Sequence, residues 1–121
     1  MKIEGVGVDV IEIDRVRKAL ERWGSNFEKR ILSPQEISPK KDLLQKAVFL
    51  AGRFAAKEAI FKSLGINPCW HKVLILTGKK GEPVVSLSSD VLDNTEKNVK
   101  RVLVSISHCK KYALAQAVAI G

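Results

Sequence analysis

The stretch from Lys41 to Leu64 is typical of one long α-helix, and this helix limits the folds open to the chain. Gly65 follows it directly, and glycine is the residue that most often takes the left-handed conformation after a helix end. Alanine side chains let a helix approach its neighbour closely. The helix carries five that can face inward: Ala47, Ala51, Ala55, Ala56 and Ala59. The sequence therefore predicts a long helix packed tightly against a sheet.

Alternating apolar and β-branched residues predict that sheet. The strands are expected at residues 3–13, 73–76, 84–87, 101–108 and 112–120. The glycine-rich segment 78–81 is expected to be a turn between two of them. Strands that alternate with helices in this order indicate an α+β fold with an antiparallel sheet, in a single domain spanning residues 1–121.

Shorter helices are expected between the strands. Asp14 is a plausible N-cap for a basic helix that ends at Gly24. Ser33-Pro34-Gln35-Glu36 matches a capping box with proline at the first helical position, and Ser38-Pro39 repeats the start signal. A short surface helix is expected within residues 88–97. The first of these helices exposes four cations and is expected to be a docking surface: Arg15, Arg17, Lys18 and Arg22.

The 121 residues include 21 Lys and Arg against 13 Asp and Glu, a net charge of +8. This charge favours acidic partners, but it does not choose among nucleic acid, anionic lipid, phosphorylated cofactors and acidic proteins. Cys69 and Cys109 form no CxxC pair, so we expect reduced thiols and no zinc site. The sequence shows no signal peptide and no apolar run of about 18 residues, so we expect a soluble cytoplasmic protein without membrane contact.

Glu58 is a single carboxylate among three cations of the long helix. Residues four apart share a helix face, so Arg53 is expected beside Lys57, and Glu58 beside Lys62. An ordinary surface ion pair between Glu58 and Lys62 explains this pattern. An anion site with a metal-ligating carboxylate also explains it.

Asp9 is expected on the strand face that carries Ile3, Gly5, Gly7 and Ile11. Strands disfavour aspartate, and the two glycines leave room beside this one. A strand-end carboxylate bonded to backbone or to an arginine is one interpretation. The other is a pair with Glu58, because Mg²⁺ is usually held by one or two carboxylates together with phosphate oxygens and water.

His108 lies where a predicted strand meets a turn. It is either a histidine at the hairpin end or a hydrogen-bond donor to a phosphate or a base. His71 has no second ligand pair nearby in the sequence, so we interpret it as structural.

Three motifs together resemble the holo-acyl-carrier-protein synthase family, the small class of 4′-phosphopantetheinyl transferases. They are Gly7-Val8-Asp9-Val10 followed by Glu12 and Arg15, Phe49-Leu50-Ala51-Gly52-Arg53-Phe54-Ala55-Ala56-Lys57-Glu58-Ala59, and Ser105-Ile106-Ser107-His108. The resemblance spans nearly the whole chain. It implies the fold of that family and the transfer of 4′-phosphopantetheine from coenzyme A to a serine of apo acyl carrier protein, which releases adenosine 3′,5′-bisphosphate and serves fatty acid biosynthesis.

The resemblance also implies roles for particular residues. Asp9 and Glu58 would be the Mg²⁺ ligands, and Arg15 would meet the acidic carrier protein. The expected phosphate and nucleotide contacts are Arg53, Lys57, Lys62 and His108. Glu58, Lys62 or a metal-bound water would accept the serine proton, and the sequence leaves this choice open. Members of the family are homotrimers with active sites between subunits.

The chain departs from the family pattern at two places. Residues 65–71 replace a Gly-Thr-Gly loop, and Glu82 replaces the lysine of a Gly-Lys-Pro turn. These changes concern substrate contacts and the subunit interface more than the reaction. The alternative function is a basic nucleic-acid-binding module without catalysis. Aromatic residues make up only 6% of the chain and are not interleaved with a basic strand face, so we expect no nucleic acid partner.

Overall fold

The computed structural model describes residues 1–37 and 42–121, and these ranges form an α+β fold. The strands are β1 (Ile3–Glu12), β2 (Val73–Thr77), β3 (Pro83–Leu87), β4 (Arg101–His108) and β5 (Tyr112–Ile120). The helices are α1 (Ile13–Trp23), α2 (Ser25–Ile31), α3 (Leu43–Leu64) and α4 (Ser89–Asn94). Two short 3₁₀ helices span Pro34–Glu36 and Trp70–Lys72.

The five strands form two antiparallel sheets rather than the one sheet that the sequence predicted. In the larger sheet the order is β1-β5-β4, and β2 pairs with β3 in the smaller. The short strands β2 and β3 pair with each other through a tight turn that contains Gly81 at a φ of 83°. Glycine takes this left-handed conformation without a steric penalty.

Helix α3 packs directly on β1 because two glycines remove the side chains between them. A Cβ on Gly7 would lie 2.0 Å from the carbonyl oxygen of Ala59, and one on Gly5 would lie 2.0 Å from that of Ser63. The room that the glycines leave is therefore filled by the backbone of α3. The inner alanines predicted from the sequence are all fully buried. This close approach fixes which residues of α3 lie next to β1.

The starts of the helices differ in detail from the predictions. Helix α1 has Glu12 at its N-cap, and Asp14 lies in its first turn. There Asp14 forms ion pairs with Arg17 and Lys18, and these cations lower the pKa of its carboxyl group. Helix α2, which follows Gly24 directly, was not predicted from the sequence.

The predicted capping box at Ser33 is confirmed, but it begins a 3₁₀ helix. The start signal Ser38-Pro39 lies outside the described residues. Helix α3 begins at Leu43, where the side chain of Asp42 accepts a hydrogen bond from the backbone of Gln45 at 3.0 Å. It ends at Gly65 with a φ of 67°, as the sequence predicted.

Two apolar clusters meet along α3. One lies between its C-terminal half, β2 and β5, and the other between its N-terminal half, α1 and α2. Trp70 packs against both, and its ring stacks on Phe54 at 5.0 Å between centroids. Within the described ranges no helix is both long and apolar enough to cross a membrane.

Candidate active site

Asp9 and Glu58 line the same cleft, of about 450 Å³, between β1, α1 and α3. Asp9 is on the face of β1 that packs on α3, two residues after Gly7. Glu58 immediately precedes Ala59, whose carbonyl oxygen lies against Gly7. The glycine contact that holds the helix on the strand therefore also brings the two carboxylates together.

The charges of this pair make the cleft suitable for a cation. Burial raises the pKa of the Glu58 carboxyl group, the negative charge of Asp9 raises it further, and Lys62 opposes both. Like charges raise a carboxyl pKa because the ionised forms repel one another, and a bound cation removes that repulsion. The described residues contain no group of three or more His, Cys, Asp and Glu side chains that could hold a metal. Two protein carboxylates fit Mg²⁺, which takes its other ligands from water and substrate phosphate.

Lys62 contacts Asp9 rather than Glu58. Its Nζ donates to the carbonyl oxygen of Val8 at 3.0 Å and lies 3.3 Å from Oδ1 of Asp9. The lysine side chain is 54% exposed and the aspartate 19%. One of the two sequence interpretations was a surface ion pair between Glu58 and Lys62. Among the described residues, Lys62 forms its ion pair with Asp9 instead. Lys62 is therefore an accessible cation at the edge of the carboxylate cleft.

Lys57 is a core residue, and its surroundings argue against its predicted role as a phosphate contact. The side chain has no exposed surface. Its ammonium group donates to the carbonyl oxygens of Ile31 (2.8 Å) and Trp70 (2.7 Å) and to Oε1 of Glu36 (2.8 Å). These bonds use all three N–H groups of a lysine, so none is left for a phosphate.

Glu36 is the buried partner of Lys57, and sequence reasoning missed this role. Its Oε1 also accepts from the backbone and the hydroxyl of Ser33, and its Oε2 accepts from the backbone of Ile75 at 2.7 Å. Burial lowers the pKa of the Lys57 ammonium group, and the hydrogen bond and charge of Glu36 oppose this shift. The capping box was the only sequence signal for Glu36, and it predicted a local bond alone.

Arg53 and His108 line a second cleft, of about 480 Å³, together with Gly52 and Ile106. The guanidinium carbon of Arg53 lies 4.7 Å from the centroid of the Phe49 ring. One terminal nitrogen donates to the hydroxyl of Thr77 at 3.2 Å, and the buried Nε has no partner among the described residues. Burial lowers the pKa of this guanidinium. The charge of Glu36 opposes this shift, but the described hydrogen bond of the guanidinium goes to a hydroxyl and leaves other N–H groups for a phosphate.

The two clefts lie on different sides of α3. Arg53 precedes Glu58 by five residues, which corresponds to about 140° around the helix axis. The predicted site residues of one chain are therefore divided. Asp9 and Glu58 line one cleft with Lys62 bonded to Asp9 beside it, and Arg53 and His108 line the other.

Arg15 extends from α1 into the wall of the carboxylate cleft. Its neighbours Arg17 and Lys18 are paired with acidic residues of the same helix, Asp14 and Glu21. Arg15 is thus the cation of α1 that borders the two carboxylates.

The departures from the family pattern lie elsewhere. Residues 65–69 line a separate polar cleft with Lys72 and Asn94. Glu82 closes its own turn, where its carboxylate accepts from the backbone of Lys80 at 3.1 Å. The ring nitrogen Nε2 of His71 lies 2.6 Å from the carbonyl oxygen of Lys29, a contact that agrees with its structural interpretation.

The chain belongs to the 4′-phosphopantetheinyl transferase superfamily, whose sequence profile matches residues 5–117. A curated relative, the holo-[acyl-carrier-protein] synthase of Dehalococcoides mccartyi, is 41% identical over 93% of this chain and 95% of its own length. The holo-acyl-carrier-protein synthase of Plasmodium yoelii superposes with a TM-score of 0.86 at 33% identity, covering 99% of this chain and 96% of that one. The Helicobacter pylori enzyme in complex with coenzyme A gives a TM-score of 0.84 at 33% identity, with coverages of 95% and 99%. These comparisons confirm the fold and family that the motifs indicated, and they give no support to a nucleic-acid-binding module.

Proposed function

We propose that this chain is a holo-acyl-carrier-protein synthase, which transfers 4′-phosphopantetheine from coenzyme A to a serine hydroxyl of an apo acyl carrier protein. The other product is adenosine 3′,5′-bisphosphate, and the reaction serves fatty acid biosynthesis in the cytoplasm. The observation that carries this proposal is the cleft shared by Asp9 and Glu58. It occurs in a chain that is similar over nearly its whole length to enzymes of this name, one of them in complex with coenzyme A.

The reaction forms a bond between the serine oxygen and the β-phosphorus of coenzyme A and breaks the bond between that phosphorus and the bridging oxygen. The bond electrons leave with adenosine 3′,5′-bisphosphate, and the serine loses its proton. Such a transfer depends mainly on in-line positioning and on neutralising phosphate charge. Asp9 and Glu58 would hold Mg²⁺, which would supply positive charge next to the reacting phosphate when bound.

The cationic residues of the chain would bind the phosphates and the carrier protein. Lys62, an accessible amine at the edge of the carboxylate cleft, would bind the phosphate that reacts. Arg53 and His108, in the second cleft, would hold another phosphate of the nucleotide. Arg15 would meet the acidic carrier protein beside the carboxylates. The proton acceptor would be Glu58, Lys62 or a metal-bound water.

A homotrimer would bring the two clefts together. One face of the larger sheet is directed away from α3 and exposes six large apolar or aromatic side chains, here called the apolar sheet face: Val6, Val8, Val10, Leu103, Tyr112 and Leu114. An exposed sheet face with this many large apolar side chains marks an association surface. Because a single chain separates its carboxylates from Arg53 and His108, a complete site requires the first cleft of one subunit beside the second cleft of its neighbour. We propose the trimeric state that the family resemblance implies.

The trimer is tested by the mass of the protein in solution. Light scattering on a size-exclusion column should give three times the chain mass of 13.4 kDa. Leu114→Glu should yield monomers and reduce transfer, because a charge cannot be buried at the interface without a large cost. Leu76→Glu is the matched control, since Leu76 is an exposed strand leucine outside the apolar sheet face. A monomeric wild-type protein that is fully active would contradict the proposal.

The transfer itself is tested by intact-mass spectrometry. With Mg²⁺ and coenzyme A, the protein should add one phosphopantetheine to a folded apo acyl carrier protein. A carrier whose acceptor serine is replaced by alanine should stay unmodified, and so should the normal carrier in the presence of a chelator. Absence of the mass shift on a folded wild-type carrier would refute the enzymatic function.

A further inference from the structure

Lys62 lies beside the carboxylate cleft as an ion-pair partner of one proposed metal ligand, Asp9. Its ammonium group lies 3.3 Å from Oδ1 of Asp9. A second hydrogen bond, to the carbonyl oxygen of Val8 at 3.0 Å, holds the amine beside this strand residue. Both acceptors belong to β1, so the long side chain reaches across from α3 to the strand.

The charge of Lys62 also acts on the second carboxylate. Glu58 is one turn earlier on the same helix, and the positive charge of Lys62 opposes the pKa increase caused by burial and by Asp9. Lys62 therefore partly neutralises the same pair of charges that a divalent cation would neutralise. Two cations cannot both bind one carboxylate at full strength, because they repel each other at short range.

Lys62 can leave this position at low cost. Its side chain is about half exposed, and a half-exposed lysine pair with a carboxylate contributes little stability. A phosphate that arrives near the cleft offers its amine a partner with more negative charge than one carboxylate. The release of Asp9 by Lys62 would then make both oxygens of that carboxylate available to a metal ion.

We propose that Lys62 is the resident counter-ion of the carboxylate pair and competes with the divalent cation until a phosphate of the nucleotide takes over its amine. This proposal rests on the assignment of Asp9 and Glu58 as metal ligands in the proposed function. The proposal makes two statements that can be tested. Metal binding without nucleotide is weakened by Lys62, and nucleotide strengthens metal binding partly by removing Lys62 from Asp9.

The first statement is tested by direct binding of Mn²⁺, a paramagnetic substitute for Mg²⁺, measured by electron paramagnetic resonance without coenzyme A. Lys62→Met should bind Mn²⁺ about two- to five-fold more tightly than the wild type, which is the range expected for loss of a partly exposed ion pair. Lys62→Arg, which keeps the charge, should stay close to the wild type.

Lys72→Met is the matched control. Lys72 forms an exposed ion pair with Asp90 at 3.0 Å, and its replacement removes the same net charge away from the carboxylate cleft. Any gain in Mn²⁺ affinity that Lys72→Met also shows is due to net charge. The proposal is overturned if Lys62→Met binds Mn²⁺ no more tightly than Lys72→Met, or if neither the wild type nor Lys62→Met binds Mn²⁺.

The second statement is tested by adding adenosine 3′,5′-bisphosphate or coenzyme A to the same titrations. The nucleotide should raise the Mn²⁺ affinity of the wild type by a larger factor than that of Lys62→Met, because only in the wild type does the nucleotide also remove a competing amine from Asp9. Equal factors in the two proteins would overturn the proposal. The carrier-modification assay is independent of these titrations, so a protein that transfers phosphopantetheine but shows no effect of Lys62 on Mn²⁺ would refute this inference alone.

Discussion

Lys57→Met is expected to lower the free energy of unfolding by roughly 3–5 kcal/mol, the range for breaking a buried ion pair from one side. The change leaves the carboxylate of Glu36 buried without its cation. It also removes the donor from the carbonyl oxygens of Ile31 and Trp70, which lie in different segments that pack on α3. Urea denaturation followed by circular dichroism measures the loss. In a protein of low stability, a loss of this size leaves much of the chain unfolded at 37 °C.

Two further variants distinguish this structural role from the ligand role that the motif suggested. Lys46→Met, at a less buried position of the same helix, should change stability by no more than about 0.5 kcal/mol. The double variant Lys57→Met with Glu36→Gln should be more stable than Lys57→Met alone. Glutamine leaves no unpaired charge in the core, and it can still accept a hydrogen bond from the backbone of Ile75. If Lys57→Met is as stable as the wild type and only binds coenzyme A poorly, Lys57 is a phosphate contact and the structural assignment is wrong.

Most of the features that the sequence predicted correctly are local. A left-handed glycine ends α3 at Gly65, and a serine and a glutamate three residues apart form the capping box at Ser33. Alternation of apolar residues predicted the strands of the C-terminal hairpin, which pair as expected from Arg101 to Ile120. Each of these signals operates within a few residues, so no knowledge of the rest of the chain is needed.

The distribution of roles along α3 was not predictable in the same way. Lys57 and Glu58 are neighbours about 100° apart, and the sequence does not show which of them faces inward. The contact of Gly7 with the backbone of Ala59 decides this, and its partners are 52 residues apart in the sequence. The buried partner of Lys57 is 21 residues away, and no short-range pattern links the two.

The separation of Arg53 and His108 from the carboxylates was missed for a related reason. The spacing of five residues already places Arg53 and Glu58 on different sides of the helix, but it does not show which strand packs beside each of them. The position of β4 against α3 gives Arg53 and His108 a cleft of their own. This division supports the site between subunits that the family resemblance implies.

Glu58→Gln is expected to reduce phosphopantetheine transfer by roughly 10²–10³-fold, the range for removing one group that stabilises the charge of a transition state. Glutamine keeps the size and the hydrogen-bonding oxygen of glutamate but not the charge that attracts Mg²⁺. The initial rate of carrier modification at saturating coenzyme A and limiting Mg²⁺ measures this loss. Glu96→Gln, at an exposed position after α4, is the matched control and should retain full activity.

The same variant should lose activity without losing stability, and this combination identifies a functional carboxylate. The pKa of Glu58 is raised in the protein without metal, mainly by burial and then by Asp9. A carboxyl group with a raised folded pKa opposes folding at pH values above that pKa. This cost becomes smaller as the pH falls below the folded pKa, because the folded protein then takes up the proton. Glu58→Gln removes the cost, so at neutral pH its free energy of unfolding should equal or exceed that of the wild type. The difference between the two proteins should shrink as the pH is lowered below the folded pKa of Glu58. An active Glu58→Gln protein at limiting Mg²⁺ would refute the ligand role, and a destabilised one would show that Glu58 supports the fold instead.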